Sequence, residues 1–169
     1  LPSIVMGIII WHLIVKPSGR ATAFAGGVAL AFILIPLVTR TTEEMVRIVP
    51  VSLGEAGLAL GYSQWRTSLS IVLRTSLAGI VTGVLVAVAR IAGETAPLMF
   101  TAGGSSYLST SINQPIQAIT TQVYVYATSA YEEWVRLAWA GSLVLVTFVL
   151  VISVAARYAT RSRFRSGAE

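Results

Sequence analysis

The sequence predicts an all-α, polytopic integral membrane protein with about three full transmembrane helices plus a partial one. Three observations lead there. The 169 residues are 55% hydrophobic and only 11% charged, against about 25% charged in a soluble domain. Mean hydropathy is +0.77. The charges are also grouped, leaving nineteen uncharged residues between Arg20 and Arg40 and twenty between Arg136 and Arg157. At about 1.5 Å per residue each stretch spans roughly 30 Å, the thickness of the hydrocarbon core.

The elements follow in chain order. Residues 1–15 are uncharged but short for a span, and the chain opens on Leu1 rather than Met. They read as a partial helix, the tail of a span in an N-terminally truncated subunit. No basic stretch precedes the apolar run, which argues against a secretory signal peptide. His12 is the single histidine and lies in that run, where packing or an interfacial position is favoured over metal or proton chemistry. A helix is expected over 21–39, a polar loop over 41–73 and a helix over 75–102. An extracytoplasmic segment is expected over 103–135, a helix over 137–156 and a tail over 157–169.

Arginines set the orientation. Arg40, Arg47, Arg66 and Arg74 mark the 40–74 loop, and Arg157, Arg161, Arg163 and Arg165 the tail. The bias places the loop and the C-terminus in the cytoplasm. A basic tail beside a membrane helix reads as an orientation signal at anionic lipid rather than a nucleic-acid patch. With no cysteine, disulfide and thiol chemistry are excluded.

The loop carries helix signals. Thr41-x-x-Glu44 and Ser52-x-x-Glu55 fit capping boxes, Pro50 separates two segments, and Gly61 suits a left-handed C-terminal cap. Leu53, Ala56, Leu60 and Ile71 form a partial apolar stripe. Two or three short helices are expected, either docking a partner or lying on the membrane surface. The only lysine, Lys16, is followed by Pro17, so no Gly-x4-Gly-Lys-Ser/Thr phosphate loop exists in this sequence.

Arg90-Ile-Ala-Gly93-Glu94-Thr-Ala-Pro97 places charge inside an apolar segment. An arginine there costs at least ~2.5–3.5 kcal/mol on insertion scales and must face protein or water. Glu94, four residues on, is placed to pair with Arg90 on a continuous helix. Gly93 and Pro97 mark a helix break. A guanidinium fork matches a tetrahedral oxyanion, so an anion path and a structural ion pair are the two readings. Arg40 is a second candidate, against the alternative of an interface anchor.

Residues 55–73 resemble the EAA loop of ABC importer permeases, which docks the driving ATPase. Glu55, Ala56, Gly61, Ile71 and Leu73 fall in register, while Gly57 stands where a second Ala is expected and Arg74 where Pro is. The resemblance extends through Pro2-Ser-Ile-Val-x-Gly7, Ala25-Gly-Gly-Val, Pro36-Leu-Val-Thr-Arg40, Ala87-Val-Ala-Arg90 to Ala102, and Leu137-Ala-Trp139-Ala-Gly141. Together these are similar to the permease subunits of bacterial phosphate-specific ABC importers. The resemblance implies a type I (MetI-like) permease core in the bacterial cytoplasmic (inner) membrane, the chain being the C-terminal part of the transmembrane domain.

It further implies partners: a second permease (PstC), a dimer of the ATPase (PstB) and an extracytoplasmic phosphate-binding protein (PstS). Arg90, Glu94 and Arg40 become the substrate path, and Glu55, Ala56, Leu60, Gly61 and Ile71 the ATPase-docking set. The chain itself is expected to be no enzyme and to hold no cofactor or metal, with ATP and magnesium on the partner ATPase. Another oxyanion (sulfate or molybdate), a non-transporting phosphate-sensing subunit and a secondary transporter are the competing functions. Residues 116–126 are expected to form a short re-entrant or interfacial helix, either a plug or a contact for the binding protein.

Overall fold

A chain this apolar has to satisfy its own backbone polar groups, and helices do so within one segment. The computed structural model describes residues 2–105, 107 and 109–165, without the side chains of 156, 157 and 159–165. Among these residues every regular element is helical: α1 (Ser3–Ser18), α2 (Ala23–Arg47), α3 (Val51–Ala59), α4 (Gln64–Ile91), α5 (Ala96–Thr101), α6 (Ile119–Ala127) and α7 (Glu132–Arg165). Three helical stretches are long and apolar enough to cross a membrane: Ala23–Arg47, Gln64–Ile91 and Glu132–Ala155.

Two compact units divide the chain. The first comprises Leu1–Ile35 with Ala89–Val151, the second Pro36–Val88 with Ile152–Glu169.

In the first unit, small residues let backbones approach closely. A Cβ on Gly7 would lie 2.7 Å from Pro97 Cα, and one on Gly26 would lie 3.1 Å from Leu98 Cδ2. Ile10, Val15, Ala25 and Ala29 are buried together, and Pro97 and Thr101 are fully enclosed. The start of α2 is capped from a distance. Its Thr22 Oγ1 accepts from Ala25 N–H at 3.1 Å. The Thr22, Ala23 and Phe24 amides donate to the Thr101, Gln114 and Ile112 carbonyls at 3.1, 2.9 and 3.0 Å. Donors orphaned at a helix start thus find partners in the 101–114 segment.

Within α1, residues Trp11–Val15 are π-helical, and the Lys16 amide reaches back five residues to Trp11 O. Pro17 explains it: without an N–H, and crowding the carbonyl four residues back, it forces the ladder to widen. Gly19, at φ 67°, ends the helix.

Several expected boundaries move. The helix expected over 21–39 runs on to Arg47, because Arg40 pairs with Glu44 at 3.1 Å and Glu43 with Arg47 at 2.7 Å. Such pairs support a helix that has left the apolar layer. Thr41 therefore starts no helix; its Oγ1 bonds back to Leu37 O at 3.0 Å. Ser52 likewise forms no capping box, since α3 begins at Val51 behind Pro50 with no side-chain cap.

The helix expected over 75–102 begins eleven residues earlier, at Gln64, and stops at Ile91. No proline interrupts 64–91, so the ladder continues through a π-helical turn over Ser68–Val72. At the other end Gly93 and Glu94 close tight three-residue bonds to Arg90 O and Ile91 O, and Pro97 falls in the first turn of α5. The last helix, expected over 137–156, runs from Glu132 to Arg165. The side chains of Arg157, Arg161, Arg163 and Arg165, and residues 166–169, lie outside the described residues.

Candidate functional site: a folded polar loop and an exposed arginine

In the second unit, α3 is short and closes on the head of α4. Its C-terminus is a Schellman turn: the Gly61 amide donates to Leu58 O at 2.9 Å and the Tyr62 amide to Gly57 O at 3.2 Å. Gly61 sits at φ 81°, a left-handed conformation that other residues adopt at a cost. Ser63 is extended, and α4 follows at Gln64.

Glu55, Ala56 and Leu60 lie on the exposed side of α3. Ile71 does not; it is half-buried, its Cδ1 only 2.6 Å from where a Gly57 Cβ would stand. It holds the loop together from within. Two residues unremarked in the sequence, Tyr62 and Trp65, join Leu60 on the outer surface. Leu60 is 77% and Trp65 74% exposed, and the Arg66 guanidinium stacks 5.3 Å from the Tyr62 ring centroid. Counting back from Arg74, Trp65 lies roughly 13 Å further along the helix. That carries it beyond the apolar run.

Behind the loop, α2 and α4 pack antiparallel through small residues. A Cβ on Gly79 would lie 2.6 Å from Met45 Sδ, and one on Gly83 would overlap Thr41 Cγ2. Arg40 is 71% exposed and tied to Glu43 at 3.8 Å and Glu44 at 3.1 Å.

In the first unit, Arg90 occupies the last turn of α4. Its neighbours Ala89 and Ile91 are buried while Arg90 is exposed. The expected Arg90–Glu94 pair is corrected: the described residues show no ion pair between them. Pairing four residues apart requires a continuous helix, and the chain turns at Gly93. Arg90 instead lies where the helix dipole offers partial negative charge. Glu94 is half-buried, and its carbonyl accepts from Thr120 Oγ1 at 3.4 Å.

The expected helix within 116–126 spans Ile119–Ala127, with Thr120 and Thr121 buried. It borders an open cleft of about 960 Å³ whose described lining includes Ser105, Gln117, Gln122, Tyr126 and Trp134 and no charged residue. Gln117 donates to Gln122 there, and Tyr126 packs on Trp134 with ring centroids 5.2 Å apart. His12 is exposed in the π-helical part of α1. Among the described residues no cluster of His, Asp or Glu could hold a metal ion.

Membrane-length helices, joined by a folded loop and interrupted beside an arginine, define a multi-pass membrane component rather than a soluble domain. The chain belongs to the family of binding-protein-dependent transport system inner membrane components, whose sequence model matches residues 1–165. It is 48% identical over 157 residues to the phosphate transport system permease protein PstA of Xylella fastidiosa (strain 9a5c), covering 92% of this chain and 55% of that protein. It is 46% identical over 156 residues to PstA of Haemophilus influenzae, with 92% and 55% covered. A probable PstA of Methanocaldococcus jannaschii is 38% identical over 161 residues, with 95% and 57% covered. The chain thus spans about half the length of these relatives. No solved structure matches it.

Proposed function

We propose that this chain is the C-terminal part of a permease subunit of an ATP-driven importer that moves inorganic phosphate across the bacterial inner membrane. Arg90 carries the substrate assignment. It is an exposed guanidinium at the end of a membrane-length helix, with no carboxylate partner among the described residues. Lipid is a poor environment for it, whereas a tetrahedral oxyanion in a protein-lined path satisfies its donor fork. The names of the relatives support phosphate as that oxyanion.

The remaining assignments follow from this one. The exposed face of α3 and the Leu60–Trp65 surface form the contact for the ATPase (PstB), which binds ATP and magnesium. The loop and C-terminus lie in the cytoplasm. The second permease (PstC) completes the walls of the path, and the binding protein (PstS) delivers phosphate on the outer face. The neutral hydroxyls and amides of the cleft beside α6 suit a vestibule that lets an anion pass without holding it. Arg40 and Glu94 border the path in the assembled complex. Transport proceeds by alternating access, driven by motion of the docking loop.

Arg90→Ala in the intact subunit tests the assignment. Phosphate uptake is expected to vanish while the complex still assembles. Uptake at the wild-type rate would remove Arg90 from the path.

A further inference from the structure

We infer that Gly57, Thr67 and Ile71 form a steric lock that makes the docking helix and the head of α4 one rigid body, and that this lock transmits ATPase motion into the membrane. The inference rests on the docking role proposed above for α3.

The contact is so close that a side chain at position 57 would force its neighbours to shift. A Cβ there would lie 2.6 Å from Ile71 Cδ1, 2.9 Å from Thr67 Cγ2 and 3.1 Å from Thr67 Oγ1. By contrast, a Cβ at Gly54, one turn earlier on α3, would meet nothing within 4 Å. The closeness is therefore specific to the face turned towards α4. It also accounts for the glycine that stands where the EAA pattern expects a second alanine.

The surroundings agree. Gly57 and Thr67 are buried and Ile71 is half-buried. Thr67 is only 5% exposed, and its Oγ1 has no hydrogen-bond partner among the described residues. The Thr67 hydroxyl therefore adds no hydrogen bond to this contact, which depends on shape. Ile71 belongs to the π-helical turn Ser68–Val72, in which the Leu73 amide reaches back to Ser68 O.

Mechanically, α3 has two connections to α4. One is the short turn from Leu60 to Ser63, and the other is this contact. A turn alone would let α3 pivot. Seating two methyl groups against the backbone of Gly57 blocks the pivot, because close-packed contacts resist gradual deformation. Displacement of the outer face of α3 then moves the start of the Gln64–Ile91 helix, whose last turn holds Arg90.

The test uses the intact subunit with its partners in proteoliposomes, measuring phosphate imported per ATP hydrolysed. Gly57→Ala is expected to keep the ATPase bound and hydrolysing, and to lower that ratio by about tenfold or more through overpacking. Adding Thr67→Ser and Ile71→Val removes both crowding methyl groups and is expected to restore most of the ratio. In the Gly57 background, Thr67→Ser with Ile71→Val leaves a gap and is expected to lower the ratio by itself.

A wild-type ratio in Gly57→Ala would overturn the lock, as would failure of the triple variant to recover. If Gly57→Ala does not assemble, Thr67→Ser with Ile71→Val decides alone, and an unchanged ratio sinks the inference. The docking role fails differently, by an ATPase that does not co-purify with the wild-type subunit.

Discussion

At the scale of single residues, Arg90 and Gly57 show what one side chain, or its absence, contributes. Arg90 was visible in the sequence as a charge in an apolar segment; its lack of an ion pair among the described residues was not. Glu94 lies at helical spacing, and only the turn at Gly93 separates the two. Glycines divide by what surrounds them. Gly7→Ala places a methyl 2.7 Å from the Pro97 backbone, where no rotamer change relieves it. A loss of about 1–3 kcal/mol is expected, read as a lower unfolding temperature of the detergent-solubilised subunit. Gly27→Ala, with nothing within 4 Å of the new Cβ, should lose nothing and gain up to about 1 kcal/mol of helix propensity. Equal effects at the two positions would refute the close packing of α1 on α5. Thr67→Val removes the unpartnered hydroxyl while keeping the branched shape. It should be neutral or stabilising, and it should leave transport per ATP unchanged.

At the scale of elements, spans were legible because charge-free length is a direct physical requirement of the bilayer. Their ends were less so. The Thr41 and Ser52 capping signals compete with continuation of a helix, and in both cases continuation prevails: Thr41 bonds back to Leu37 O, and Ser52 falls inside α3. The extension of α2 to Arg47 rests on its ion pairs. Glu43→Gln with Glu44→Gln should therefore fray residues 42–47. The expected cost is below about 1 kcal/mol, at roughly 0.3–0.5 per pair. Faster amide hydrogen exchange confined to that turn would report it; unchanged exchange would show that apolar packing holds the extension.

The turn after α3 makes a sharper case. Gly61, at φ 81° with open space around it, was recognisable from sequence as a cap. Gly61→Ala should cost about 1–2 kcal/mol through backbone strain alone and weaken recovery of the ATPase. Full recovery would mean that the turn is not needed to present α3. The 101–114 segment that caps α2 is different, since its carbonyls meet α2 only through the fold. No periodicity announces such a contact.

At the scale of the whole molecule, the helical membrane architecture and the family were legible from composition, charge grouping and the motif at Glu55–Gly61. The exposure of the surface proposed for docking was legible in part. Glu55, Ala56 and Leu60 lie outside as an interaction face requires, whereas the inward position of Ile71 and the exposure of Trp65 needed coordinates. Helix α4 carries an exposed loop at one end and, at the other, an arginine with no ion pair among the described residues, on a single helical run of 28 residues. Such a run is about 42 Å long and exceeds the roughly 30 Å hydrocarbon core. In the proposed function, this helix belongs to an ATP-driven phosphate path.

Uptake of labelled phosphate into proteoliposomes tests that claim most directly, with the intact subunit and its permease, ATPase and binding-protein partners present. ATP is supplied or withheld on the ATPase side, and excess sulfate or molybdate is added as competitor. Uptake is expected to require ATP, to ignore both competitors and to disappear with Arg90→Ala. Uptake without ATP, or uptake suppressed by sulfate or molybdate, would contradict the proposed function.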